Sequence, residues 1–155
     1  MKTQIGLSKD YSDQMVSKLN VLLSNVQIFY MNVRGFHWNI TGKNFFKLHE
    51  EFEKLYDDLN EKADEIAERI LMLEGKPMHA FSEYLKISGI KERTSISTES
   101  ATVKEVIEGL SVLLNLEREI ASLAADNNDD GTADLITGYI SEQEKLIWMF
   151  NAFMK

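Results

Sequence analysis

The fold of this chain is decided by residues 37–69, HWNITGKNFFKLHEEFEKLYDDLNEKADEIAER. This stretch contains two of the three histidines, His37 and His49, and its second half repeats apolar residues at the three- and four-residue steps of an amphipathic helix. Asp64 and Glu68 follow at positions i and i+4, which places both carboxylates on one helix face. Histidine and carboxylate side chains together form a ligand set for iron, manganese or zinc.

The spacing of these residues determines how they could share a metal ion. His49 and Asp64 are about 22 Å apart along an unbroken helix, whereas ligands lie about 2 Å from their ion. Fifteen steps of about 100° end about 60° from the start, so the two ends face nearly the same side. Two antiparallel copies about a two-fold axis would therefore form two identical sites. We predict sites made of His37 and His49 from one chain and Asp64 and Glu68 from its mate.

Two other interpretations remain open from the residues alone. A metal centre inside one four-helix bundle would use Glu-x-x-His on two helices. The residues three before each histidine are Arg34, Phe46 and Lys76, which disfavours such a centre. The two carboxylates could instead form a solvated helix face, with Lys62 and Arg69 as their ion-pair partners.

Two neighbouring residues extend the predicted site. Glu53 lies four residues after His49 on the same helix face and could supply an oxygen to a second metal position; its simpler role is a surface carboxylate. Trp38 directly follows His37. An indole beside a redox metal could donate an electron to a damaging oxidant, or it could only fill an interface. We assign no role to the third histidine, His79.

The composition limits the classes of protein to which the chain can belong. With 155 residues, 44% of them hydrophobic and 27% charged, it is predicted to form one soluble globular domain over residues 1–155. The absence of cysteine excludes disulfides and thiolate metal sites. The net charge of −8 disfavours nonspecific nucleic-acid binding and suits a protein that gathers cations. Without a signal peptide or a long apolar run, we expect a cytoplasmic protein that does not contact membranes.

Four long amphipathic segments predict an all-α fold. The first two span about 8–38 and 44–74, the third begins at Thr102, and the fourth follows Gly131. The first and last pairs have short connections and should be antiparallel. Residues 76–100 are long enough to cross the bundle and to contain a short helix. This pattern predicts a ferritin-like four-helix bundle with one long crossover carrying a short extra helix.

Particular residues predict the ends of these helices. Gly75 is the expected residue after the second helix, and Thr102 and Glu105 have the spacing of a capping box for the third. Four aspartates lie in and after the last turn: Asp126, Asp129, Asp130 and Asp134. Their simplest role is turn and helix-cap chemistry. Repeated around a three-fold axis, they would instead form an acidic pore for cations.

At these residues the sequence resembles the Dps family, the mini-ferritins known as DNA-binding proteins from starved cells. The resemblance covers nearly the whole chain and is carried by HWNITG at 37–42, FxxLHE at 45–50 and DxIAER at 64–69. The metal ligands of the family fall on four residues with their spacing intact: His37, His49, Asp64 and Glu68.

The resemblance implies a hollow homododecamer with ferroxidase sites at its two-fold interfaces. Iron(II) would be oxidised there, preferably by hydrogen peroxide, and stored inside as ferric oxyhydroxide, which would protect DNA from oxidative damage. Glu53 occupies a position that is often Asp in the family, at the second iron position. A shell tuned for manganese or zinc would use the same ligands.

The resemblance also bears on binding to DNA. Family members that bind DNA directly often carry a Lys-rich mobile tail. Here the first ten residues offer only Lys2 and Lys9, and Lys155 is alone at the C-terminus. We therefore do not expect direct DNA binding. A nucleoid-packing shell and an acidic helical interaction module are the alternative functions.

Overall fold

A computed structural model describes residues 1–155, which form five helices and no β-strand beyond a single bridge between Lys2 and Ser8. The helices are α1 (Lys9–Asn39), α2 (Phe45–Met72), α3 (Phe81–Ile87), α4 (Glu99–Asp126) and α5 (Asp130–Met154). Helix α1 packs on α2, α4 packs on α5, and α1 also contacts α3 and α4. The predicted four-helix bundle with a short helix in its long crossover is confirmed. None of the helices has the length and apolarity needed to span a membrane.

One cluster of 29 buried apolar residues fills the bundle. Helix α1 contributes Leu19, Leu22 and Val26, whose three- and four-residue spacing aligns them on one face. Where α1 meets α4, a Cβ atom on Gly109 would lie 2.3 Å from the Phe29 ring. Glycine at this position therefore lets the two helices approach closely.

Three buried asparagines of α1 fix the long crossover. Their side-chain oxygens accept hydrogen bonds from crossover N–H groups: Asn20 from Met78, Asn25 from Gly89 and Ile90, and Asn32 from Arg93. Buried backbone groups need such partners wherever no helix supplies them. The crossover thus keeps a defined path over α1, although only α3 within it is helical.

The predicted capping box at the start of the third long helix is wrong. Helix α4 begins at Glu99, and the Thr98 side chain caps it. Thr102 lies inside the helix, where its hydroxyl donates to the Thr98 carbonyl at 2.7 Å. Glu105 pairs instead with Arg93 at 3.0 Å. Because Thr98 offers an equivalent cap one turn earlier, the helix gains a turn.

Helix α2 also ends at a different residue, and with a different left-handed residue, from those predicted. The helix stops at Met72, and Glu74, not Gly75, adopts the left-handed conformation with φ 64°. The Gly75 N–H then donates to the Ile70 carbonyl at 2.9 Å, which closes the helix end. Glycine is needed here for space, since a Cβ atom would lie 2.4 Å from the Val16 side chain.

Candidate metal centre

The two histidines of the 37–69 stretch meet where α1 ends and α2 begins. His37 lies in the last turn of α1 and His49 near the start of α2. Their imidazole rings are stacked, with centroids 3.7 Å apart and planes 14° from parallel. The structure therefore brings together two side chains that are twelve positions apart in sequence.

Reciprocal hydrogen bonds determine which ring nitrogen is free. Nδ1 of His37 lies 2.6 Å from the His49 carbonyl oxygen, and Nδ1 of His49 lies 2.8 Å from the His37 carbonyl oxygen. A carbonyl oxygen only accepts, so both Nδ1 atoms must donate. In the neutral rings both Nε2 atoms then carry a lone pair, which is the form that binds a metal.

Aromatic side chains fix the orientation of both rings. Phe45 stacks on His49 at 5.0 Å, and the Tyr56 ring meets His37 edge-on at 5.2 Å. His37 is only 6% exposed. The histidine pair is thus oriented within a single chain, before any metal or second subunit binds.

Glu53 lies beside the free nitrogen of His37. Its Oε1 atom is 3.8 Å from His37 Nε2, and two ligands each about 2 Å from one ion are separated by about 3–4 Å. The Tyr56 hydroxyl lies 3.5 Å from the same carboxylate oxygen and can donate to it. Glu53 and His37 of one chain are therefore placed to contact one ion together.

Asp64 and Glu68 form a separate half of the predicted site. Both side chains are exposed on α2, which runs without interruption from Phe45 to Met72. A hydrogen bond that the protonated Glu68 carboxyl donates to Asp64, together with the like charge of Asp64, raises the pKa of Glu68. Two carboxylates that disfavour each other's ionisation would be stabilised by a shared cation.

The expected pairing of these solvated carboxylates with Lys62 and Arg69 is wrong. Lys62 is buried and pairs with Asp58 and Glu142. Arg69 pairs with Asp129 at 2.8 Å and donates to Thr132. Neither cation pairs with Asp64 or Glu68, so both carboxylates remain free of ion pairs within the chain.

The four aspartates of the last turn have different roles. Asp129 is 2% exposed, and it accepts hydrogen bonds from Tyr11, Arg69 and the backbone of Thr132 as the cap of α5. The helix-cap prediction is therefore confirmed for Asp129, and its carboxylate is not available to line a pore. The other three are exposed: Asp126, Asp130 and Asp134.

Trp38 lies outside the core, next to His37. Its side chain is 56% exposed, and the Arg34 guanidinium lies 4.9 Å from the indole centroid. The same guanidinium lies 5.7 Å from Tyr30 and 5.4 Å from Tyr56. This group of aromatic rings around the Arg34 guanidinium was not predicted from the sequence. A signal for part of it was present, since Tyr56 follows Glu53 by three residues and His49 by seven, on one helix face.

The single chain contains no group of three or more potential ligands able to hold a metal ion. Its histidine half lies at one end of α2 and its carboxylate half at the other. About 22 Å of helix separates His49 from Asp64. Each half therefore lacks the ligands that the other half offers.

The fold and these carboxylate- and histidine-bearing helices define a class of protein. The sequence matches the ferritin-like domain family over residues 16–155, so the chain belongs to that family. Within it, the chain is a member of the Dps family, as its motifs predicted. It is 49% identical to a Dps protein of Vibrio cholerae, described as a member of a broad superfamily of ferritin-like diiron-carboxylate proteins. The two structures agree with a TM-score of 0.97 over 99% of this chain and 97% of that one.

Two sequence relatives complete the comparison. An uncharacterized protein of Haemophilus influenzae is 51% identical over 97% of this chain and 94% of its own length. The DNA protection during starvation protein of Porphyromonas gingivalis is 47% identical over 57% of this chain and 55% of its own length. Similarity to the first relative therefore extends along almost the entire chain.

Proposed function

We propose that this protein oxidises iron(II) at sites shared between two subunits and stores the product inside a hollow shell. The observation that supports this most strongly is the pair of complementary half-sites at opposite ends of α2. His37, His49 and Glu53 lie at one end. Asp64 and Glu68 lie at the other, with no ion-pair partner in their own chain.

The two halves suit the two oxidation states of iron. The two histidines offer neutral nitrogen ligands, which bind iron(II) without adding negative charge to the site. The partner's Asp64 and Glu68 supply two anionic oxygens, which favour the more highly charged iron(III). The partner's carboxylates therefore stabilise iron(III) more than iron(II), which promotes the loss of an electron at the site.

Hydrogen peroxide is the proposed electron acceptor. Its O–O bond breaks as it takes two electrons, one from each of two iron(II) ions, and two protons convert its oxygens to water. The iron(III) ions then hydrolyse to ferric oxyhydroxide. This route consumes peroxide and iron(II) together without releasing a hydroxyl radical.

The proposed assembly is a homododecamer in the cytoplasm, with the sites at its two-fold interfaces. An isologous contact that joins the two ends of α2 would form two sites per dimer. The three exposed aspartates of the last turn are proposed to attract iron(II) toward a pore: Asp126, Asp130 and Asp134. Trp38 is proposed to give one electron to a damaging oxidant that approaches the site.

We propose that DNA is protected by this chemistry and not by direct binding. The net charge of −8 opposes contact with phosphates. The N-terminal segment is folded back, since Lys9 N–H donates to the Met1 carbonyl and Gln4 N–H donates to Glu74. A mobility-shift assay at low salt tests this, because a salt-sensitive shift would favour the nucleoid-packing function.

The principal test is anaerobic loading with iron(II) followed by hydrogen peroxide, recorded through the near-ultraviolet absorbance of ferric oxo species. We expect fast oxidation that keeps iron soluble, with one peroxide consumed for two iron(II) ions. Parallel loading with manganese(II) and zinc(II) measures the metal preference. Oxidation no faster than in buffer, with precipitation of iron, would contradict the proposed function.

A further inference from the structure

A buried polar pair lies inside the bundle, outside the candidate metal centre. Glu117 of α4 and Gln143 of α5 are each 1% exposed. The Gln143 amide Nε2 donates to Glu117 Oε2 at 2.9 Å. The other oxygen of each side chain, Glu117 Oε1 and Gln143 Oε1, is buried and has no hydrogen-bond partner.

The two oxygens without partners both need a hydrogen-bond donor. An ionised carboxylate and an amide oxygen can only accept, so together they lack a donor. One proton on Glu117 Oε1 would supply it and could be donated to Gln143 Oε1. The acid and the amide would then form a closed ring of two hydrogen bonds, and both buried oxygens would be satisfied.

The positive groups around the pair oppose a divalent metal ion more strongly than a single proton. Lys62 of α2 acts on Glu117 with a positive charge, together with Arg118 of α4 itself. Lys62 is buried, and its ammonium group pairs with carboxylates. The other charged or titratable neighbours are Asp58 of α2 and Tyr139 of α5, and Glu142 of α5 pairs with Lys62. A further cation beside Lys62 and Arg118 would be repelled.

We propose that Glu117 and Gln143 form a proton-binding site in the bundle core, in which neutral Glu117 donates a hydrogen bond to Gln143 and joins α4 to α5. Burial raises the pKa of the Glu117 carboxyl to about 8, although the Gln143 hydrogen bond and Lys62 act in the opposite direction. The site therefore retains its proton at neutral pH and releases it under mildly alkaline conditions.

The direction of the pH effect follows from linkage. In the unfolded chain Glu117 loses its proton near its ordinary pKa of 4.5, whereas the folded chain keeps it up to about 8. Between these values the unfolded state binds fewer protons, so the contribution of Glu117 to stability falls as the pH rises. Below 4.5 and above 8 its contribution no longer changes with pH.

The substitution Glu117→Gln separates this site from other titrating groups. A glutamine amide can donate to Gln143 Oε1 and accept from Gln143 Nε2, so it reproduces the protonated pair at every pH. We expect the melting temperature of wild type to fall relative to E117Q by on the order of 10 °C between pH 5 and pH 9. Glu108→Gln, at an exposed position of the same helix, is the matched control and should follow wild type. An equal pH dependence in wild type and E117Q would overturn the proposal.

Infrared spectroscopy of the assembled wild-type protein tests the protonation state directly, even if E117Q does not fold. At pH 6.5 exposed carboxylates are ionised, so a carboxylic-acid C=O band identifies a buried neutral acid. We expect this band at pH 6.5 and its loss near pH 9. A spectrum without the band at pH 6.5 would mean that Glu117 is ionised, with water or a metal ion between the oxygens, and would overturn the proposal.

Discussion

The two ends of α2 differ in how far a single chain prepares them for binding. At the histidine end, His37 and His49 are stacked, hydrogen-bonded to each other's backbone and enclosed by Phe45 and Tyr56. At the carboxylate end, Asp64 and Glu68 are exposed and form no ion pair, and Asp64 raises the pKa of Glu68. One half-site is oriented in advance, and the other is charged but incomplete.

This difference indicates a division of roles between the two halves. In the proposed site the oriented histidines would determine where iron binds, because their free nitrogens have fixed directions. The carboxylates provide negative charge, whose effect depends less on side-chain direction. The backbone beneath the carboxylates is nevertheless well supported, since Arg69 binds both Asp129 and Thr132 at the start of α5.

The largest expected effect comes from removing the support of the carboxylate end. Asp129→Ala leaves Arg69 without its buried partner and α5 without its cap, and should lower the free energy of unfolding by about 3–5 kcal/mol. Burial acts to raise the pKa of Asp129, but the Thr132 and Tyr11 hydrogen bonds and Arg69 lower it overall. Its stabilisation is therefore present above the ordinary pKa of 3.8 and is lost as the pH falls below it.

Urea unfolding at pH 7 and at acid pH measures this loss. The difference between wild type and Asp129→Ala should shrink on acidification. Asp126→Ala, at an exposed position of the same turn, is the control and should be close to wild type. A loss for Asp129→Ala no larger than that of the control would mean that the Arg69 contact does not support the carboxylate end.

The next effect concerns the oriented half. His49→Ala removes a nitrogen ligand and the ring that stacks on His37, and should slow iron(II) oxidation by about 100-fold while the shell still assembles. The exposed His79 is a matched control, since His79→Ala removes a histidine without touching either half-site. Stopped-flow absorbance gives the rates. Equal rates for the two variants would exclude His49 from the site.

The smallest effect concerns the charge at the carboxylate end. Without metal, Glu68→Gln removes a like charge next to Asp64 and should slightly raise the melting temperature at neutral pH. The repulsion that raises the pKa of Glu68 exists only when both carboxylates are ionised. The gain in melting temperature should therefore disappear in acid. The same variant should oxidise iron more slowly. A metal-free variant less stable than wild type would show that Glu68 has a structural role.

Much of this architecture could be predicted from periodicity and spacing. The helices, their pairing and the location of α3 followed from apolar steps and connection lengths, and the separation of His49 from Asp64 followed from the helical rise. The start of α4 could not be assigned, because Thr98 and Thr102 are chemically equivalent caps. The Arg69 partners and the Glu142 partner of Lys62 lie in or just before α5, which is distant in sequence, whereas Asp58 lies four residues before Lys62 on α2. The buried Glu117 was missed although its spacing gave a signal, since it lies four residues after Leu113 and three before Ile120, both of which are buried.

The most direct test of the account is complementation between two inactive variants. One carries His37→Ala and His49→Ala, and the other carries Asp64→Ala and Glu68→Ala. In a mixed dimer, one site would contain all four ligands and the other none. Random co-assembly of equal amounts should therefore restore about a quarter of the wild-type oxidation rate. Co-assemblies no more active than either variant alone would contradict a site shared between subunits.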